Sequence, residues 1–107
     1  MKNCENNKNK VKLSVVMATY NNATGHVLQQ AIDSVLQQSF SEFELIICDD
    51  ASTDGTWIML EQYVDRDSRI KIVRNSINRK AGYARNRAIE LSSGEYIAIM
   101  DADDVLN

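Results

Sequence analysis

Four short apolar runs alternate with three amphipathic segments along 107 residues, an order that predicts an α/β fold with a doubly wound, mainly parallel sheet. A helix between two strands returns the chain to the same end of the sheet, so the strands are parallel and joined by right-handed crossovers. Length and composition agree, since 107 residues are room for one domain and 44% apolar with 25% charged is an ordinary globular balance.

Leu13, Val15, Val16 and Met17 form a β-branched-rich run that stops at the turn-forming cluster Thr19-Tyr20-Asn21-Asn22, and they make the first buried strand. The residues before it are polar, so 1–11 are expected to be a disordered, solvated tail and 12–107 the domain. Leu28, Ala31, Ile32, Val35 and Leu36 then recur at helical spacing, with Gln29, Gln30, Asp33, Ser34 and Gln37 on the other side. A second strand follows from Phe43 through Leu45, Ile46, Ile47 and Cys48 to Asp49-Asp50. Ala51-Ser52-Thr53-Asp54-Gly55 supplies N-cap residues for a helix whose inward stripe is Trp57, Leu60 and Val64. Ile70, Ile72 and Val73 alternate with Lys71 and Arg74, as in a strand covered on one face or near a sheet edge. Ala84, Ala88, Ile89 and Leu91 mark a third helix, ended by Ser92-Ser93-Gly94, and Tyr96 to Met100 forms a fourth strand, expected inside the sheet.

Twelve Lys and Arg against fifteen Asp and Glu give a net charge of -3, which provides no general basic field for nucleic acid or anionic lipid. Cys4 and Cys48 have no metal-ligand spacing and are too few for a disulfide scaffold, so a reducing, cytoplasmic setting is expected. No run approaches the roughly 18 apolar residues that a transmembrane helix needs. His26 and Cys48 have no partner at catalytic spacing and are read as a surface imidazole and a buried thiol.

Ligands of such sheets settle outside the carboxyl ends of the strands, where the winding reverses. That edge receives the residues from Thr19 to Asn22, Asp49 to Asp54, Asn75 to Lys80 and Asp101 to Asp104. Six carboxylates, Asp49, Asp50, Asp54, Asp101, Asp103 and Asp104, are thereby expected on one rim, where their repulsion calls for a cation or a donor-rich ligand. In an extended chain Asp101 and Asp103 project to the same side, and two carboxylates with water and phosphate suit a hard cation such as Mg²⁺ or Mn²⁺ on a diphosphate. One of Asp49 and Asp50 is expected to face the ligand, whereas Asp54, before Gly55-Thr56, is read as serving a helix N-terminus. Tyr20 could stack on a base. Arg79, Lys80, Arg85 and Arg87 surround the start of the third helix, whose N–H groups could receive phosphate; Arg85 and Arg87 diverge by about 200° and cannot both face inward.

Taken in order, Val15-Val16-Met17-Ala18-Thr19-Tyr20-Asn21-Asn22 and Phe43-Glu44-Leu45-Ile46-Ile47-Cys48-Asp49-Asp50-Ala51-Ser52-Thr53-Asp54-Gly55-Thr56 resemble the start of a family-2 glycosyltransferase. Gly82-Tyr83-Ala84-Arg85-Asn86-Arg87-Ala88-Ile89 and Ser93-Gly94-Glu95-Tyr96-Ile97-Ala98-Ile99-Met100-Asp101-Ala102-Asp103-Asp104 resemble that family's approach to its Asp-x-Asp motif, so the likeness spans nearly all of Leu13 to Val105. The resemblance implies the nucleotide-sugar-binding half of a GT-A fold, holding a donor that is most often a UDP-sugar, with Mn²⁺ or Mg²⁺. By the family pattern Thr19 and Tyr20 line the base pocket, Asp50 contacts the base, Asp101 approaches the ribose and Asp103 binds the metal, with Lys80 or Arg79 reaching base or phosphates. Ala18 stands where many members carry proline.

The metal would neutralise charge on the leaving diphosphate, and a hexosyl or N-acetylhexosaminyl group would pass to a glycan or lipid-linked hydroxyl, as in polysaccharide biosynthesis. An inverting transfer also needs a general base, which the family carries further on. The sequence stops at Val105-Leu106-Asn107, so the expectation is a truncated and by itself inactive piece, with an apolar sheet edge open to self-association. The alternative is a non-catalytic nucleotide-binding module. A dinucleotide-binding dehydrogenase is disfavoured because Ala18-Thr19-Tyr20-Asn21-Asn22 has no glycine after the first strand.

Overall fold

The computed structural model describes residues 11–24 and 26–102. It contains strands β1 (Leu13–Thr19), β2 (Phe43–Asp49), β3 (Ile70–Arg74) and β4 (Tyr96–Ile99), and helices α1 (Val27–Leu36), α2 (Thr56–Arg66) and α3 (Lys80–Glu90). The expected tail, residues 1–11, lies outside the described residues apart from its last position, Val11.

All strands are parallel and the spatial order is β3-β2-β1-β4. β1 and β2 have both faces covered, which is why they read as continuous apolar runs. Alternation sends Val15, Met17, Leu45 and Ile47 to one face, where they pack with Leu28, Ala31, Ile32 and Val35 of α1 and Leu60 and Tyr63 of α2. Val16, Ile46 and Cys48 point to the other face and meet Ala84 and Ala88 of α3. Each such Val, Leu or Ile removed from water contributes roughly 1.5–3 kcal/mol before entropy is counted. Helices on both faces make the sheet doubly wound, and the winding reverses between β1 and β4.

In α2 the expected stripe packs against the core, with Leu60 deeply buried and Trp57 and Val64 partly covered, and Tyr63 is buried beside it. Tyr63 reaches past the core to donate its hydroxyl proton to Asp33 Oδ1 of α1 at 2.9 Å, which an apolar stripe does not anticipate. The fourth strand is not internal: among the described residues β4 pairs only with β1, and all its residues are exposed. Helix α3 lies over β1 and β2, and Leu91, expected on its inward stripe, is exposed just beyond its end.

At the amino end of the sheet a buried carboxylate ties β4 into place. Glu44 Oε2 accepts from Ser14 Oγ at 2.6 Å and from the Ser93 N–H at 2.7 Å, and Oε1 accepts from Lys71 Nζ at 2.7 Å. The Gly94 N–H donates to Ser14 Oγ at 2.8 Å. A Cβ at Gly94 would lie 2.7 Å from the backbone nitrogen of Ser14, so only glycine lets the turn into β4 come this close to β1.

Candidate functional site

The carboxyl ends of β1, β2 and β3 are joined beyond the strands by ladder bonds, Asp50 N–H to Thr19 O and Asn75 N–H to Asp49 O, both 2.9 Å. The loops that leave these ends are then sewn together by side chains. Asn21 N–H donates to Ser52 Oγ at 2.8 Å, Thr53 N–H returns to Asn21 Oδ1 at 2.8 Å, and Asn22 N–H donates to Thr56 Oγ1 at 3.0 Å. Asp54 accepts from Thr56 N–H at 2.9 Å and from Ala23 N–H at 3.2 Å, so it serves the start of α2 and the β1 loop together. These bonds frame Asn21 at φ 51° and Ala51 at φ 66°, left-handed values that asparagine tolerates and that alanine adopts only when the surroundings fix them.

Within this frame the site residues separate into buried and open ones. Thr19 is buried, with its hydroxyl donating to Asn22 Oδ1 at 2.5 Å, whereas the Tyr20 ring next to it is exposed. Asp49 is 0% and Asp50 2% exposed. Asp49 Oδ1 accepts from both the hydroxyl and the N–H of Ser52, while Oδ2 is buried with no hydrogen bond, its nearest cation being Arg74 Nε at 3.8 Å. Burial pushes the Asp49 carboxyl above the usual range, against the pull of Ser52 and Arg74. Asp50 is saturated instead: Oδ1 accepts from Asn75 Nδ2 at 2.8 Å and Arg79 N–H at 2.9 Å, and Oδ2 from Lys80 N–H at 2.7 Å.

The rim is therefore not six open carboxylates. Asp49, Asp50 and Asp54 draw their donors from the protein, which removes much of the repulsion expected of them. The anion-receiving N–H groups expected at the start of α3 are likewise taken at Arg79 and Lys80 by Asp50. Lys80 adopts φ 77° there and its side chain is exposed, and Arg79 stacks on Tyr83 with its guanidinium 5.0 Å from the ring centre. Asp101 is exposed just past β4. Asp103 and Asp104 lie outside the described residues, and among the described ones no group of three or more metal-ligating side chains forms. Cys48 is a free buried thiol, raised to about 11 by burial, and His26 is exposed, as their sequence context indicates.

Beside the buried aspartates a depression of about 520 Å³ opens between the β2 and β3 loops, lined by Ala51, Ser52, Thr53, Arg74, Asn75 and Ser76. Arg74 lies on its wall, with its guanidinium 5.3 Å from the Trp57 ring centre and Nη2 donating to the Ser52 carbonyl at 3.2 Å. Sequence reasoning put Asn75 in the rim loop but gave it no role. The signal available was its position directly after β3, matching that of Asp50 after β2.

Comparison with known proteins adds family and fold relatives to this geometry. The family described as "Glycosyl transferase family 2" matches residues 14–107. A Bacillus subtilis protein described as "Putative glycosyltransferase EpsE" is 42% identical over 95 residues, covering 88% of this chain and 34% of its own length. The Escherichia coli "UDP-Glc:alpha-D-GlcNAc-diphosphoundecaprenol beta-1,3-glucosyltransferase WfgD" is 39% identical over 93 residues, covering 87% of this chain and 35% of its own length. The chain thus spans about a third of the length of these relatives. Among solved structures, S. aureus TarS 1-349 in complex with UDP-GlcNAc superposes with a TM-score of 0.81 at 32% identity, covering 91% of this chain and 28% of that one. The mannosyltransferase PcManGT from Pyrobaculum calidifontis, solved with GDP-Man and Mn²⁺, superposes at 0.80 with 26% identity, covering 90% and 28%.

Proposed function

The chain belongs to glycosyl transferase family 2, with the GT-A type α/β sheet of its structural neighbours, and from that premise we propose that it binds the donor, a UDP-sugar held with a divalent cation. The observation that carries the reading is the likeness, over 91% of the chain, to TarS solved with UDP-GlcNAc. The proposal puts the donor at the edge where the winding reverses, since ligands of such sheets settle outside the carboxyl ends of the strands there. The exposed Tyr20 ring offers a stacking face, Lys80 a cation for the diphosphate and Asp101 an acceptor for ribose hydroxyls. Thr19, Asp49 and Asp50 form the floor of the same site, and Asp50 can take a base N–H only by releasing one of the donors it now holds.

Mn²⁺ or Mg²⁺ belongs to the proposal with Asp101 and Asp103 as its ligands. Asp101 is a fitting donor, exposed two residues past the end of β4, and the bound cation would stabilise the leaving diphosphate. The sugar would be a hexosyl or N-acetylhexosaminyl group and the acceptor a glycan or lipid-linked hydroxyl. The reading assigns no general base within residues 11–102, so transfer by this chain alone is expected at background. A cytoplasmic setting, peripheral to the inner face of the membrane, belongs to the same proposal, as does self-association through β4.

Calorimetric titration with UDP, GDP and dTDP, with and without Mn²⁺, tests it. Metal-dependent binding is expected, strongest for UDP, and Asp103→Ala should weaken it more than about tenfold, or 1.4 kcal/mol. Equal affinity in the presence of chelator would remove the metal from the proposal, and no binding of any nucleotide would remove the donor site.

A further inference from the structure

Five hydrogen-bonded residues, Arg87, Asn75, Asp50, Arg79 and Lys80, close a circuit through the rim. Arg87, two turns into α3, donates from Nη1 to Asn75 Oδ1 at 2.7 Å and to the Arg74 carbonyl at 3.3 Å. Asn75 Nδ2 donates to Asp50 Oδ1 at 2.8 Å. Asp50 in turn accepts the N–H groups of Arg79 and Lys80, which return the circuit to the start of α3. Asn75 is 4% and Asp50 2% exposed, so water does not compete for these groups.

We infer that Arg87 is a positioning residue for the rim, acting through the Asn75 amide on Asp50 and through Asp50 on the backbone of Arg79 and Lys80. Arginine only donates and a carboxylate only accepts, so a single orientation of the amide satisfies both neighbours. Arg87 and Asp50 impose that orientation from its two sides, and Arg87 supplies the charged donor that keeps the Asn75 oxygen paired. Without it Asn75 Oδ1 is a buried acceptor lacking its charged donor, and a flipped amide would set that oxygen against Asp50. The Lys80 N–H also reaches Asn78 Oδ1, at 3.1 Å against 2.7 Å to Asp50, and two features give the nearer acceptor its weight at the start of α3. Arg79 makes no capping bond with its own side chain, and Lys80 sits at φ 77°, a conformation its own chemistry does not favour. What Arg87 controls is thus the placement of the Arg79 and Lys80 side chains. Its consequence for ligand binding rests on the proposed nucleotide-sugar reading.

The test compares the unaltered chain with Arg87→Met and Arg87→Lys by amide hydrogen exchange and by UDP titration with Mn²⁺. In Arg87→Met the Arg79 and Lys80 amides should exchange at least about tenfold faster while Ile46, in the sheet core, stays protected. UDP affinity should fall about tenfold, as for the loss of one charge-assisted hydrogen bond. Arg87→Lys, which keeps a donor, should restore most of both. Unchanged exchange at Arg79 and Lys80, or an equal acceleration at Ile46, would overturn the inference, the latter by showing general loosening. If the unaltered chain binds no UDP, the nucleotide reading fails on its own and the exchange pattern alone decides the role of Arg87.

Discussion

Asp49 and Asp50 are neighbours in sequence, equally buried, and opposite in what their charge does. Every oxygen of Asp50 meets N–H donors, so Asp50→Asn would turn an amide NH₂ toward backbone N–H groups and leave donors unpaired, a loss of about 1–3 kcal/mol. Asp49 keeps Oδ2 buried without a hydrogen bond, and Asp49→Asn removes a charge that burial already disfavours; its cost should stay below about 1 kcal/mol. Urea unfolding of the two variants checks the contrast, and equal losses would contradict it. Glu44 carries the opposite pH sign from Asp49. Burial alone would raise its carboxyl, but bonds from Lys71, Ser14 and Ser93 outweigh that and hold it below its ordinary value of 4.5. Its stabilising contribution is therefore complete above the unfolded-state value and lost as pH falls through the folded one. Unfolding free energy measured from about pH 6 down to about pH 3 should decline more steeply in the unaltered chain than in Glu44→Gln. Lys71, half exposed, should cost less than about 1 kcal/mol on replacement by alanine.

The elements owe their order to periodicity and their placement to contacts far apart in sequence. Gly94 shows the second point: its N–H bonds to Ser14, and the space where a Cβ would sit is filled by the Ser14 backbone. Gly94→Ala must push β4 away from β1, with a loss of about 1–3 kcal/mol, and its effect should appear first as faster amide exchange along β4 in a thermal or exchange experiment. A stability equal to that of the unaltered chain would show that the turn can move freely. The four strands and three helices were legible because β1, β2 and α1 carry unbroken apolar patterns. The exposure of β4 was not, because Tyr-Ile-Ala-Ile has a buried strand's composition, and what covers a strand is decided by its neighbours rather than by its own residues. The rim shows the same division. That Asp49, Asp50 and Asp101 sit at strand ends was readable from run lengths. That Asp50 is held by Asn75, 25 residues on, and by Lys80, 30 residues on, was not, since no local pattern encodes a bond between two loops.

At the scale of the whole molecule the two edges of the sheet are built differently. Among the described residues β3 ends the sheet on one side, with Lys71 and Arg74 in its five residues, charges that discourage another strand from pairing there. β4 ends it on the other with four residues and no charge, and Tyr96, Ile97 and Ile99 are 66%, 45% and 56% exposed. An uncharged, proline-free edge with apolar side chains on both faces is a template for a further strand, and in a solution of this chain alone the available strand is the β4 of another copy. Sedimentation of the 107-residue chain should accordingly show a mass that rises with concentration. A charge introduced on that edge, Ile97→Lys or Ile99→Lys, which lie on one face of β4, should return it to the monomer without loss of UDP affinity, because the proposed donor site uses neither side chain. Association that survives both substitutions would have to arise elsewhere, and a monomer at all concentrations would show that the exposed edge is protected by its shortness alone.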